Sequence, residues 1–349
     1  MGTGVEHVPA DRPGPAGGAG PAGGAPATGS IRRSRDVPLL VERARAGDPR
    51  AVARLITLVE SGDDLLPQVA AALAPYAGQA QVVGLTGSPG VGKSTTTNEL
   101  VRALRSRGHR VGVLAIDPSS PFTGGAILGD RVRMQDHATD PGVYIRSMSS
   151  RGHLGGLSAA TPQAVRVLEG AGCDVVLVET VGVGQAEVEV ASLADTTLVL
   201  LAPGMGDAIQ AVKAGILEIA DVFVVNKADR DGADATVRDI QGNIALSERG
   251  PGEWRPQVVR TVAARGEGID DLAAALDKHR GWLVEHDELR RRREARAAAE
   301  VEAIALGALR ARIGSLRDGT ELPALAARVA GGSLDPYAAA AELLAQLGA

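Results

Sequence analysis

The chain is poor in rings: its 349 residues include two Trp, three Tyr and two Phe, 2% aromatic in all. A core assembled without them must come from Val, Leu, Ile and Ala, the composition of a parallel sheet covered by helices on both faces. Cysteine is nearly absent too. The single Cys173 excludes an intramolecular disulfide and a CxxC metal site, and its place before an apolar run reads as a packed thiol. No apolar run approaches membrane-spanning length, and the first residues show no signal-peptide core, so the expected location is the cytoplasm. Basic excess is missing as well. The net charge is −5 with no Lys/Arg stripe, which argues against a nucleic-acid partner. What remains is 44% hydrophobic and 23% charged, enough to bury one enzyme-sized core with attachments.

Glycine, by contrast, is abundant and in one place ordered. Gly87-Ser88-Pro89-Gly90-Val91-Gly92-Lys93-Ser94 is a complete phosphate-binding loop. It follows an apolar run, Gln81 to Thr86, and precedes a helical pattern from Thr95 to Arg107. The glycines let successive N–H groups point at one phosphate, and the helix start adds positive partial charge. Lys93 is expected to reach the β- and γ-phosphates, and the Ser94 hydroxyl to sit on Mg²⁺. The competing reading, a Gly-rich turn with no ligand, is disfavoured by the full spacing and the strand-before, helix-after context.

A second motif selects the base. An apolar strand ending at Val225 runs into Asn226-Lys227-Ala228-Asp229. A carboxylate placed as Asp229 accepts from both N1–H and the exocyclic amine of guanine, whereas adenine would leave it unpaired. Such polar pairing discriminates by roughly 10⁴ or more. Asn226 would brace the loop, and the Lys227 stem would cover the base face. The nucleotide is therefore expected to be GTP.

Composition divides the chain into four parts. Residues 1–34, rich in Gly, Pro and Ala, cannot offset their ordering entropy by burial and are expected to be disordered. Residues 35–80 place apolar side chains at helical spacing, giving two or three helices. Residues 81–280 alternate apolar runs with amphipathic segments, the pattern of a doubly wound, mostly parallel α/β sheet. Strands are expected at 81–86, 111–116, 143–147, 174–179, 197–202, 221–225 and 257–262. Residues 281–349 read as a C-terminal helical arm. Its charge run, Glu288 to Glu294, fits a solvated helix face or an arm that packs on another subunit.

Candidate acids sit at strand ends, where ligands gather in open α/β sheets. Asp117 closes the second strand, placed either to bind Mg²⁺ through a water or to orient the attacking water. Gly124 through Asp130-Arg131 is too glycine-rich for a stable helix and reads as a switch that closes on the γ-phosphate. Helix capping for Asp117 and a turn for Asp130 are the bland alternatives. Glu179 ends the strand after Cys173 and stands where P-loop NTPases carry a metal-side acid, with Gly182 three residues on to meet the γ-phosphate. Most GTPases have Asp-x-x-Gly there; this chain has Glu179-x-x-Gly182. Gln185 is assigned to loop structure.

Together, Gly87 to Thr95, Asp117-Pro118-Ser119-Ser120, the Gly124–Arg131 segment, Glu179-Thr180-Val181-Gly182-Val183-Gly184-Gln185 and Asn226-Lys227-Ala228-Asp229 resemble the MeaB/ArgK GTPases. These are relatives of the human methylmalonic-aciduria type A protein in the SIMIBI branch of P-loop proteins. The resemblance runs from about residue 38 to the C-terminus. It implies a homodimeric GTPase that gates cofactor loading into an adenosylcobalamin-dependent acyl-CoA mutase and protects that enzyme. It implies Lys93 and Ser94 on phosphates and Mg²⁺, with Asp117, Asp130 and Glu179 around the metal, and guanine contacts from Asn226, Lys227 and Asp229. Ala263-Ala264-Arg265 fall where related GTPases make a backbone contact to the guanine oxygen; the usual Ser-Ala is Ala263-Ala264 here, so only the backbone contact carries over. Gly206 to Gly215 resembles an additional switch that couples nucleotide state to the mutase.

Two other classes compete. A kinase of amino-acid transport proteins would need a base for an incoming hydroxyl, and none is visible. A metal-insertion GTPase would carry Cys or His ligands, whereas this chain has one Cys and six scattered His, of which His137 and His153 read as exposed loop residues.

Overall fold

The computed structural model describes residues 36–117, 135–137, 139–149, 160–180, 186–204, 217–247, 250, 252–317 and 321–347. The tail at 1–34, Asp130, Gly182, Gln185, His153 and the 206–215 segment lie outside them.

Three helices lead: α1 (Val37–Arg45), α2 (Pro49–Ser61) and α3 (Leu66–Leu73). Local chemistry sets their ends. Asp36 accepts from Leu39 N–H at 3.1 Å, and Asp48 from Arg50 N–H at 2.9 Å, each just before a proline in the first turn. Helix α2 closes on Gly62, left-handed at φ 64°.

Seven strands follow: β1 (Gln81–Thr86), β2 (Val111–Asp117), β3 (Val143–Ser149), β4 (Val175–Thr180), β5 (Thr196–Leu201), β6 (Val222–Asn226) and β7 (Gln257–Thr261). They form one parallel sheet in the order β3-β2-β4-β1-β5-β6-β7. Each strand expected from apolar patterning is present, with ends shifted by two residues at most. The crossovers among the described residues include α4 (Lys93–Ser106), α5 (Thr161–Gly170), α6 (Ala186–Leu193) and α7 (Ala233–Leu246), and α8 (Ile269–Glu285) follows the last strand.

Alternation along the strands divides the core. Val83, Leu85, Leu198, Leu200, Val222 and Val224 face α4 and α8. Val82, Val176 and Val178 face α1, α2 and α5, while Val199, Phe223 and Val225 face α7. Because β1, β4, β5 and β6 are parallel and buried on both faces, they read as apolar runs. Their carboxyl ends share one edge, and β1 lies between β4 and β5, so the crevice opens after β1.

Helix α8 spans residue 280, the boundary drawn from composition, and is followed by α9 (Glu288–Arg317), α10 (Glu321–Ala330) and α11 (Pro336–Leu347). The charge run at the start of α9 is not wholly a solvated face. Arg290 and Arg291 pair locally with Asp287, Glu294 and Glu288, but the next arginines cross to the sheet. Arg292 grips Asp221 through two bonds of 3.0 Å. Arg293 binds Asp195 at 2.8 Å and the Ala80 carbonyl at 2.8 Å, and Arg296 reaches the Leu193 carbonyl. Asp195 also accepts from Val82 N–H at 3.0 Å, at the start of β1. Burial of these acids, 1% exposed at Asp195, is tolerable because each charge is paired and hydrogen-bonded. Farther along α9, Val301, Ile304 and Leu309 are exposed.

Candidate nucleotide site

The loop between β1 and α4 is held open by sterics as well as by glycine conformation. Gly87 (φ 139°) lies against β5, where a Cβ would come within 2.3 Å of the Leu200 carbonyl oxygen. Gly92 (φ 99°) would drive a Cβ to 2.3 Å from Asn226 Nδ2. Neither position admits another side chain. Val91 is buried, anchoring the loop, while Pro89 and Gly90 are exposed, Ser88 and Thr95 half-buried. Lys93 opens α4; its ammonium donates to the carbonyls of Gly87 at 2.7 Å and Ser88 at 3.1 Å.

One turn into α4 the helix meets β4. Ser94 Oγ donates to Glu179 Oε1 at 2.6 Å, and Thr97 Oγ1 lies 2.9 Å from Oε2. All three residues are buried. The structure thus joins Lys93, Ser94 and Glu179 at the mouth of the loop. A hydroxyl and a carboxylate held together are hard oxygen donors, the set that Mg²⁺ favours. Asp117 ends β2 on the same edge: its predecessor Ile116 is paired with Thr180, next to Glu179. Asp130 and Gly182 belong to the undescribed segments. Thr97 was not singled out in the sequence; the signal available was its place three residues after Ser94 on one helix face.

The Asn226–Asp229 segment is tied directly to the phosphate loop. Asn226 Nδ2 donates to the Val91 carbonyl at 2.8 Å; its Oδ1 accepts from Thr261 Oγ1 at 3.1 Å and from Ala263 N–H at 3.0 Å. Lys227, at φ 56° in the left-handed region, sends Nζ to the Gly90 carbonyl at 2.6 Å. A non-glycine residue held there is strained backbone of the kind that collects at functional sites. Asp229 follows in the same turn, with Arg265 Nη2 at 3.5 Å from its carboxylate. Arg265 also bonds Glu267 at 2.9 Å, so its side chain has a structural role beyond the backbone contact expected of it. Ala263–Arg265 form a 3-10 turn after β7, alongside the loop carrying Asp229.

Elsewhere one expectation is corrected. His137 is buried, not exposed: its Nε2 lies 3.2 Å from the Asn98 carbonyl of α4. A carbonyl only accepts, so Nε2 must carry the proton. Cys173 is buried, and burial pushes its thiol up to about 12. At the opposite edge of the sheet, Thr196 Oγ1 lies 2.9 Å from His279 Nδ1, whose Nε2 is 3.3 Å from Asp221. This order of groups resembles a nucleophile relay, but His279 is fully buried and Asp221 is already neutralised by Arg292, so its role is packing.

Comparison with known proteins converges on one family. The model described as methylmalonyl Co-A mutase-associated GTPase MeaB matches residues 52–317. A putative GTPase of Pyrococcus abyssi is 47% identical over 315 residues, covering 88% of this chain and 96% of its own. GTPase ArgK of Escherichia coli is 41% identical over 243 residues, covering 68% of this chain and 73% of its own. A solved structure, that of a LAO/AO transport system kinase, superposes with a TM-score of 0.67 at 27% identity. That match covers 92% of this chain and 100% of the other.

Proposed function

This chain belongs to the methylmalonyl Co-A mutase-associated GTPase family, MeaB, and on that premise we propose that it is a GTP-driven chaperone of an adenosylcobalamin-dependent acyl-CoA mutase of the methylmalonyl-CoA type. That it is a P-loop GTPase follows from the family and its relatives. The partner is the inferred part. The observation that carries it is the single match from 52 to 317, which takes in the phosphate loop, Glu179 and the base motif under a mutase-associated description.

The working parts divide as follows. The N–H groups from Gly87 to Thr95 and the start of α4 receive the phosphates. Lys93 exchanges loop carbonyls for the β- and γ-phosphate oxygens. Ser94 and Glu179 hold Mg²⁺, with Asp117 and Asp130 as the further acids of that set, and Gly182 N–H meets the γ-phosphate. Bound Mg²⁺ supplies charge neutralisation on the phosphate oxygens. Asp229 pairs with the guanine edge, Asn226 braces its loop, the Lys227 stem covers the base, and the backbone of Ala263, Ala264 and Arg265 meets the guanine oxygen. The exposed Val301, Ile304 and Leu309 support a homodimer formed through α9. A cytoplasmic location, with no membrane or nucleic-acid partner, completes the proposal; among the described residues no helix is long and apolar enough to cross a membrane.

No arginine finger is assignable from the motifs, so hydrolysis alone should be slow and should rise when the mutase completes the site, by about 10³-fold in comparable switch systems. The experiment is GTP turnover with and without purified mutase; no stimulation, together with equal mutase affinity in the GDP and GTP-analogue states, would remove the chaperone role. A second reading, kinase of a transport protein, is favoured by the likeness to the solved LAO/AO transport system kinase. Transfer of labelled γ-phosphate to protein rather than water would establish it.

A further inference from the structure

We propose that Thr97 is a positioning residue for the metal-side carboxylate: its hydroxyl fixes Glu179 Oε2 so that Oε1 is held toward Ser94 and the cation. The inference deepens the function above and rests on its assignment of Glu179 to Mg²⁺.

The geometry leaves little freedom. Ser94 and Thr97 stand three residues apart on α4, hence on one face, and each takes a different oxygen of the same carboxylate, at 2.6 and 2.9 Å. The last torsion of a glutamate is broad and roughly two-fold, so one hydroxyl alone would let the carboxylate turn about that contact. Two hydroxyls fix its plane. Glutamate suits this because its extra methylene, compared with the Asp usual in GTPases, carries the carboxylate from β4 across to the helix. Thr97 is wholly buried, so no water replaces its hydroxyl.

Thr97 Oγ1 is also 3.0 Å from the Lys93 carbonyl, the back-bonding contact common to helical threonines. A hydroxyl has one proton for the two acceptors. Bonds to an ionised acceptor are about twice as strong as neutral ones, so the proton goes to Glu179. A purely structural threonine would need only the Lys93 carbonyl, and this difference is measurable.

The test follows release of a fluorescent GDP from the full chain as Mg²⁺ is titrated, which reads metal retention without turnover. Thr97→Val keeps shape and removes the hydroxyl. It should raise the half-saturating Mg²⁺ concentration about tenfold, the worth of one bond to a charged group, and leave GDP affinity in EDTA unchanged. Thr97→Ser should restore the parent value. In a Glu179→Ala background Thr97→Val should add nothing, since the two act as a unit. Thr97→Ala serves in the same way should the valine variant not fold. Full additivity in the Glu179→Ala background, or an unchanged Mg²⁺ requirement in both Thr97→Val and Thr97→Ala, overturns the positioning role alone. A Glu179→Ala protein with the parent's Mg²⁺ requirement overturns the metal assignment beneath it.

Discussion

The Asn226 side chain donates to the Val91 carbonyl at 2.8 Å, across 135 residues of sequence, and so fastens the base motif to the phosphate loop. The same amide accepts from Thr261 and from Ala263 N–H, so three segments meet on one buried side chain. Loss of Asn226 therefore reaches the phosphate loop, the Asn226–Asp229 segment and the turn after β7 together.

Asn226→Ala strands the Val91 carbonyl and the Ala263 N–H in a buried site. Each such group costs about 1–3 kcal/mol. Denaturant unfolding should show the parent protein more stable by about 2–6 kcal/mol for the two groups together, and calorimetry should show weaker binding of both GDP and GMP. Asp229→Ala should give the contrasting pattern if its carboxylate meets the guanine edge as proposed: guanine selectivity should fall while stability holds. An Asn226 variant with parental stability would contradict the bracing role.

Asp229→Asn should weaken GTP by roughly 10²-fold or more and improve xanthosine triphosphate, because the amide donates to the xanthine oxygen. Paired titrations with the two nucleotides check this. Unchanged preference would place base recognition elsewhere.

Arg293→Met leaves Asp195 buried with Arg296, 3.5 Å away, as its remaining cation. Breaking a buried pair by removing one partner costs about 3–5 kcal/mol. Because Arg296 stays close, a loss toward the lower end is expected in chemical denaturation. Arg290→Met, which removes an exposed and locally paired arginine, should leave the denaturation midpoint where it is in the parent.

Burial pushes the His279 imidazole down to about 4; Arg292 works in the same direction, while Asp221 and Asp195 oppose it. The unfolded chain takes up this proton near pH 6.5 and the folded one only near 4. Stability from this residue is therefore complete above pH 6.5 and lost as pH falls toward 4, by on the order of 3 kcal/mol. The check is the difference in unfolding free energy between parent and His279→Asn across pH 4.5 to 7.5. It should narrow as pH falls, and a parallel offset would contradict the buried neutral state.

The sheet was legible because β1, β4, β5 and β6 are buried on both faces and so carry unbroken apolar runs. The phosphate loop and base motif were legible because each demands particular residue types at fixed spacing. Thr97 was not: its spacing from Ser94 puts the two on one helix face, but only the fold brings Glu179 to it from 82 positions away. His137 was misread for a related reason. Its polarity suggested a solvated loop, whereas the adjacent α4 offers it a buried carbonyl. The arm's arginines were ambiguous in sequence because their partners, Asp195 and Asp221, lie about 70 to 100 residues upstream, a separation that local charge patterning does not encode.

The most direct test of a nucleotide-driven chaperone is its affinity for the purified mutase, measured by calorimetry with GDP and with a non-hydrolysable GTP analogue. Coupling is reciprocal, so a partner that stimulates hydrolysis by ordering the triphosphate state must itself bind that state differently. The expected result is roughly a 5- to 150-fold difference in affinity between the two nucleotide states, the usual range for coupled sites. Lys213→Ala, in the segment that resembles the coupling switch, should shrink that difference. Equal affinities in both states, together with unaltered GTP turnover, would contradict the chaperone role.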